Sequence, residues 1–180
     1  MLDEARGQGV AEELPSALRF ELSEPEGLPA ADDVFDIVVS WSAFEHVDDP
    51  PALMREIARV LRPDGCFVMQ LWPFYHSEHG SHLWQWFPKG FAQFRYSEEE
   101  IERRVRSDAS NAEFGELLLS EFRKLNRATL DDLGAAIRGA GMRVARLEPL
   151  SGAVNVPPGA ADVPLSSLAI SGVILLAVPD

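Results

Sequence analysis

The 180-residue chain carries 16 Lys and Arg against 29 Asp and Glu, a net charge of −13. Such a surface repels phosphate backbones and anionic membranes, which argues against nucleic acid and lipid headgroups as partners. An apolar fraction of 46% supplies the core of one globular domain, and no apolar run is long and uninterrupted enough to span a bilayer, so a cytoplasmic protein is expected.

In chain order, Met1–Leu14 reads as a helix weakened by Gly7 and Gly9, and Ala17–Leu22 as a short strand. Phe35–Trp41 is an apolar run rich in β-branched residues, which predicts a parallel strand buried on both faces. Asp48 and Asp49 supply acceptors for a helix start, and Pro50-Pro51 follow where a missing N–H costs nothing. Leu53, Ile57, Val60 and Leu61 then form one apolar stripe, Arg59 and Arg62 occupy the last turn, and Pro63-Asp64-Gly65 stops the helix. Cys66–Leu71 is a second strand, completing a βαβ unit with a right-handed crossover. Cys66, the single cysteine, excludes an internal disulfide and reads as inert core.

Trp72–Pro88 holds three of the four histidines and three of the four tryptophans. So dense an aromatic and imidazole loop after a strand's carboxyl end reads as a substrate pocket, or as an aromatic cover for the sheet edge. His76, His79 and His82 have the spacing of possible metal ligands, but no thiol accompanies them and Glu78 is the only nearby carboxylate, so no metal is assigned. Ser97-Glu98-Glu99-Glu100 is a capping box opening a helix to about Arg106. A further helix starts at Asn111 with Phe114, Leu117, Leu118, Phe122 and Leu125 on one face. Thr129 caps a helix through Ala140 that Gly141 ends; Met142–Leu147 and Leu168–Val178 are the last strands, separated by a loop at Pro157-Pro158-Gly159. Neither repeats nor a domain linker are visible, which predicts one domain over 1–180 with residues 73–124 as an insertion.

Leu28-Pro29, Phe35-Asp36-Ile37-Val38-Val39-Ser40, Glu45-His46-Val47 and Glu56 to Gly65 carry a resemblance. In order and spacing they resemble the second half of a class I S-adenosylmethionine-dependent methyltransferase of the type 11 family. That pattern reads Leu-Pro, Phe-Asp-x-Val, Glu-His-Val and Arg-Val-Leu-Arg-Pro-Gly-Gly, and Asp64 replaces the first glycine of its last motif. The likeness is strong from Phe20 to about Trp72 and weaker from Leu125 to Val178. It implies an α/β, Rossmann-like methyltransferase sheet with a helical lid inserted after the family's fifth strand and a closing antiparallel hairpin. The family's first two strands and glycine-rich cofactor loop have no counterpart here; Gly7-Gln8-Gly9 is too early and follows no strand. The domain is therefore read as truncated at its amino end, either naturally or through a lost piece. The implied strand order runs from Phe35–Trp41 through Cys66–Leu71 and Leu168–Val178 to Met142–Leu147. Phe35–Trp41 becomes an edge open to pairing in a homo- or hetero-oligomer.

The resemblance also assigns site residues. Glu24 stands where the family's Asp accepts from the adenine amino group, while Pro25 stands where a backbone N–H is needed and has none; a plain acidic surface loop is the other reading of that stretch. Ser40, Trp41 and Ser42 leave the strand's carboxyl end beside the methionine part of the cofactor, S-adenosylmethionine. His46 is the candidate catalytic group, orienting an acceptor hydroxyl or serving as a base, or else a local cap that seats the next helix. Tyr75, His76, His79, His82, Trp84 and Trp86 are the candidate substrate-binding residues. The implied activity is methyl transfer to O, N or C of a small molecule. The other reading is a non-catalytic subunit or pseudoenzyme that keeps the substrate half of the fold and pairs with another chain.

Overall fold

The structure, a computed structural model, describes residues 16–24 and 27–180. The helix expected at Met1–Leu14 lies outside the described residues. The strand expected at Ala17–Leu22 is corrected: residues 16–22 form no strand, and Leu18, Phe20 and Leu22 are exposed. Apolar residues alone do not hold a strand; its N–H and C=O groups need a ladder, and no described strand runs beside this segment.

The ordered framework is a four-stranded sheet, order β1-β2-β4-β3, built from β1 (Phe35–Trp41), β2 (Leu61–Leu71), β3 (Met142–Ser151) and β4 (Ile170–Pro179). β1 and β2 are parallel, and β4 runs antiparallel to both of its neighbours. This is the order read from the sequence, and it leaves β1 at the edge. β2 and β3 are longer than expected: β2 begins at Leu61 and β3 continues to Ser151. β4 begins at Ile170 because Leu165–Ala169 forms a short helix, here α6.

The helix α1 (Pro50–Val60) crosses from β1 to β2. Its start is as local chemistry dictates: the Asp49 side chain accepts from Ala52 N–H at 2.9 Å, ahead of the two prolines. Its end is two residues earlier than the sequence suggests. Leu61 is already extended, and Arg62 belongs to β2, where its guanidinium meets Asp36 at 2.5 Å instead of capping the helix. The register absorbs the extra residues: Phe35 pairs with Leu61 and Ile37 with Cys66, so Arg62–Gly65 bulge out between them.

Met54, Ile57 and Val60 of α1 and Leu133, Ala136 and Ile137 of α5 (Leu130–Gly139) are buried on one face of the sheet. Most of these pack with Phe67, Met69, Leu71, Val173, Leu175 and Ala177 from the sheet into the main core. The opposite face is the larger correction. Ile37, Val39 and Trp41 are 59%, 61% and 65% exposed, so among the described residues β1 is covered on one face only. Cys66 is half-buried on that same uncovered face, not in the core.

Between β2 and α5 the chain folds a second apolar cluster. Leu83, Trp86 and Phe87 from the aromatic loop meet Ile101 and Val105 of α3 (Glu98–Arg106) and Leu119 and Phe122 of α4 (Ala112–Lys124). The four-residue helix α2 (Ala92–Arg95) links loop to lid. Both capping boxes form, at Ser97 with Glu100 and at Thr129 with Asp132. The buried face of α4 is rotated from the one read in the sequence: Gly115, Leu119 and Phe122 point inward, while Phe114 and Leu117 are about half exposed. Phe87 and Tyr96 pack this cluster, whereas Phe91 and Phe94 join Ala160 and Leu168 in a third one.

Candidate functional site

The carboxyl end of β1 delivers Ser40, Trp41 and Ser42 to one rim of the sheet. Ser42 has a left-handed φ of +44° and gives its N–H to Gln70, to the main-chain oxygen at 3.0 Å and to Oε1 at 3.1 Å; its hydroxyl also donates to Oε1, at 2.7 Å. Both donors of Ser42 are thus spent inside the protein. A methionine-like ligand at this rim would meet the Ser42 hydroxyl lone pairs and the exposed Trp41 ring. Gln70, on the neighbouring strand 28 residues away, holds this turn, and no local signal pointed to it.

The short 3-10 turn Phe44–His46 follows. Phe44 is buried against Phe67 and anchors the turn in the main core. Asn126, just beyond α4, fastens it from above: its Nδ2 donates to Phe44 O at 2.7 Å and Val47 O at 3.0 Å, and its N–H donates to Glu45 O at 3.0 Å. These bonds hold the main chain on both sides of His46. Its Nδ1 lies 3.3 Å from Glu121 Oε2 of α4, and its ring stands edge-on to His82 at 5.3 Å.

Glu45 is 4% exposed, and burial raises its carboxyl above the usual range, partly offset by its own backbone and by His46. Burial likewise pushes His82 down to about 4, helped by His46, so its imidazole is neutral at physiological pH. His82 sits at a left-handed φ of +60°. A non-glycine residue there is uncommon and carries strain.

The aromatic loop divides into three places. Trp72, His79, Trp84 and His82 touch in sequence, with ring separations of 5.8 to 6.2 Å, and His82 joins this group to His46. Tyr75 and His76 form another group: Tyr75 stacks on Phe122 at 6.3 Å beneath the Arg127 guanidinium, and His76 stacks on Phe94 at 6.2 Å. Burial raises the Tyr75 phenol and lowers the His76 imidazole. Tyr75, Tyr96, Phe122 and Arg127 line an open recess of about 470 Å³. Trp86 belongs to neither group: it is buried in the lid cluster, its Nε1–H donating to Asp108 Oδ2 at 3.1 Å. His76, His79 and His82 therefore do not assemble as a set. The titratable group that does assemble is Glu45, His46 and His82.

Glu24 is exposed and its oxygen accepts from Gly27 N–H at 3.2 Å, closing a tight local turn; Pro25 lies outside the described residues. The neighbouring Leu28–Asp32 stretch is held from α1. Glu56 accepts from Leu28 N–H at 3.0 Å, and Arg59 donates to Leu28 O, Ala30 O and Asp32. Ser40–Ser42 thus form a rim at the end of β1 that Gln70 braces from the neighbouring strand. Among the described residues, no helix is long and apolar enough to cross a membrane.

Comparison with known proteins agrees with this geometry. Residues 1–69 match the family described as a methyltransferase domain. Methyltransferase GfsG of Streptomyces halstedii is 41% identical over 64 residues, which are 36% of this chain and 23% of that protein. The uncharacterized methyltransferase YcgJ of Bacillus subtilis is 42% identical over 52 residues, 29% of this chain and 21% of that one. The matched stretches thus span about a quarter or less of the curated relatives. Among solved structures, YcgJ superimposes with a TM-score of 0.50 over 99% of this chain and 76% of its own, at 19% identity. A chain of the Haloferax volcanii complex between the Trm112 methyltransferase activator and a methyltransferase gives 0.53 over 100% of this chain and 68% of its own, at 21% identity. The fold is thus that of part of a methyltransferase sheet. By its sequence matches, residues 1–69 are similar to class I S-adenosylmethionine-dependent methyltransferases, and the chain carries a part of their fold.

Proposed function

We propose that this chain provides the acceptor side of a methyl transfer from S-adenosylmethionine to a small molecule. The observation that carries the reading is the junction at the end of β1: the Ser40–Ser42 rim leads in five residues to His46, which the loop closes over through His82 and Trp84. S-adenosylmethionine supplies an electrophilic methyl group on a sulfonium. Trp41 and Ser42 would hold its methionine end, and His46 would meet the acceptor hydroxyl or amine. Trp84, His79 and Trp72 would form the apolar wall that excludes water and aligns the acceptor, which in such displacements does most of the work. The recess under Arg127 suits a ring-bearing part of the acceptor, with Tyr75 on its loop side.

A second reading is supported by the uncovered sheet face: a non-catalytic partner subunit that keeps the substrate half and docks on another chain through Ile37, Val39 and Trp41. Calorimetry and turnover separate the two. The chain alone is expected to bind S-adenosylmethionine weakly, because the described residues offer no phosphate-type N–H cradle for the nucleoside half; micromolar binding would overturn that expectation. Joined to the glycine-loop half of a related methyltransferase domain, it is expected to release S-adenosylhomocysteine with hydroxyl- or amine-bearing acceptors, and His46→Ala to lower that turnover. Tight cofactor binding in the joined protein without release on any acceptor would favour the non-catalytic reading.

A further inference from the structure

Glu45 and His46 come from the turn after β1, and His82 from the aromatic loop 36 residues further on. One carboxylate oxygen of Glu45 and one nitrogen of each imidazole lie within 4.8 Å of one another. The Glu45 side chain is almost wholly buried, and its Oε2 has no hydrogen-bond partner among the described residues. His82 Nε2 is buried and equally without a hydrogen bond, while His46 Nδ1 faces Glu121 Oε2 at 3.3 Å. Buried acceptors and imidazole nitrogens are ordinarily satisfied, so two orphans beside a third ligand residue ask for a common ligand.

We propose that Glu45, His46 and His82 bind a divalent transition-metal ion, zinc foremost, and leave a coordination position open to an oxygen or nitrogen of the methyl acceptor. Two imidazoles and a carboxylate without a thiol form a ligand set that suits zinc with an open site. Around four-coordinate zinc, with bonds of about 2.0–2.1 Å, ligand atoms stand about 3.4 Å apart. The half-buried His46 and His82 side chains can close the remaining distance, while Glu45 is held by the Asn126 staple on its backbone. Glu121, against His46 Nδ1, is the carboxylate that orients a ligating imidazole from outside the set. The left-handed backbone at His82 is what turns this imidazole toward residues so distant in sequence. The acceptor-binding clause rests on the methyl-transfer reading; the ion's binding does not.

The test uses the full chain, stripped with a chelator and titrated with Zn²⁺ by calorimetry and with Co²⁺ by visible absorption. One equivalent is expected to bind, with the intense visible bands of four-coordinate Co²⁺. Glu45→Gln, His46→Ala and His82→Ala should each weaken affinity by about tenfold or more, while His76→Ala and His79→Ala should leave it unchanged. Where circular dichroism shows that Glu45→Gln has not folded, His46→Asn and His82→Asn carry the same comparison. No stoichiometric binding of either ion to the folded chain, or an equal loss in His79→Ala, would overturn the site. Metal binding in a joined protein that never transfers methyl groups would refute the methyl-transfer reading and leave the site standing.

Discussion

Glu56 and Arg59 illustrate how a family motif becomes a physical part. In sequence they read as helix residues; in the fold they hold the Leu-Pro loop onto α1, with Arg59 donating to Glu56 at 2.7 and 2.8 Å and to two loop carbonyls. The Arg59 guanidinium and the Leu28 N–H hold the Glu56 carboxyl down at about 2, from an ordinary 4.5, and Arg59 is raised in turn by Glu56 and Asp32. A carboxylate depressed on folding stabilises the native state fully above its unfolded value, and that stabilisation is lost as pH falls from about 4.5 towards 2. Both side chains keep an edge in solvent, so this stabilisation is screened and small at neutral pH. Glu56→Gln should therefore lower the urea midpoint near pH 7 and converge with the parent at about pH 2; a gap that persists there would mean the cost is steric. This cradle and the Asn126 staple were invisible in the sequence, since their partners lie about 28 and 80 residues away. The caps at Asp49, Ser97 and Thr129 were legible because each is satisfied within three residues.

Elements were legible where the signal is periodic and local, and displaced where packing chooses among similar faces. On α4 the apolar residues Phe114, Leu117, Leu118, Leu119 and Phe122 admit more than one inward stripe. Gly115 selects it: its missing side chain lets α3 approach, and a Cβ there would stand 2.9 Å from Val105. Arg123 pairs with Glu98 and Glu102, and Arg106 with Glu102 and Glu116, so the outer faces of α3 and α4 are laced by ion pairs of small individual worth. The lid's cohesion then rests on its apolar cluster, which is separate from the main core. Leu119→Ala, at a position 1% exposed, should cost about 2–4 kcal/mol in that cluster. Hydrogen exchange is expected to accelerate in α3 and α4 while β2 and β4 keep their protection. Equal acceleration in the sheet would show that lid and sheet unfold as one unit.

At the scale of the molecule, two surfaces oppose each other. Register places Ile37, Val39 and Trp41 on the same side of the sheet as Cys66, Val68 and Gln70, and these beside Val178, Leu176 and Ile174 of β4. The face is apolar apart from Gln70 and most exposed on β1, which among the described residues is an edge strand. The apolar run of β1 was readable as a buried strand; that its second face stays open was not, because composition reports what a strand can bury and not what is there to bury it. Against association stands a net charge of −13, which makes chains repel. Because apolar contact is insensitive to moderate salt while this repulsion is screened over about 10 Å at 0.1 M, self-association should strengthen as salt is added. Light scattering across a dilution series is expected to show growing average mass with salt. Val39→Asp, placed at an exposed position where it costs the core nothing, should shift the chain back towards monomer. A monodisperse monomer at every salt concentration, with Trp41 fluorescence shielded from a soluble quencher, would mean that the face is covered within one chain and that the edge is not an interface.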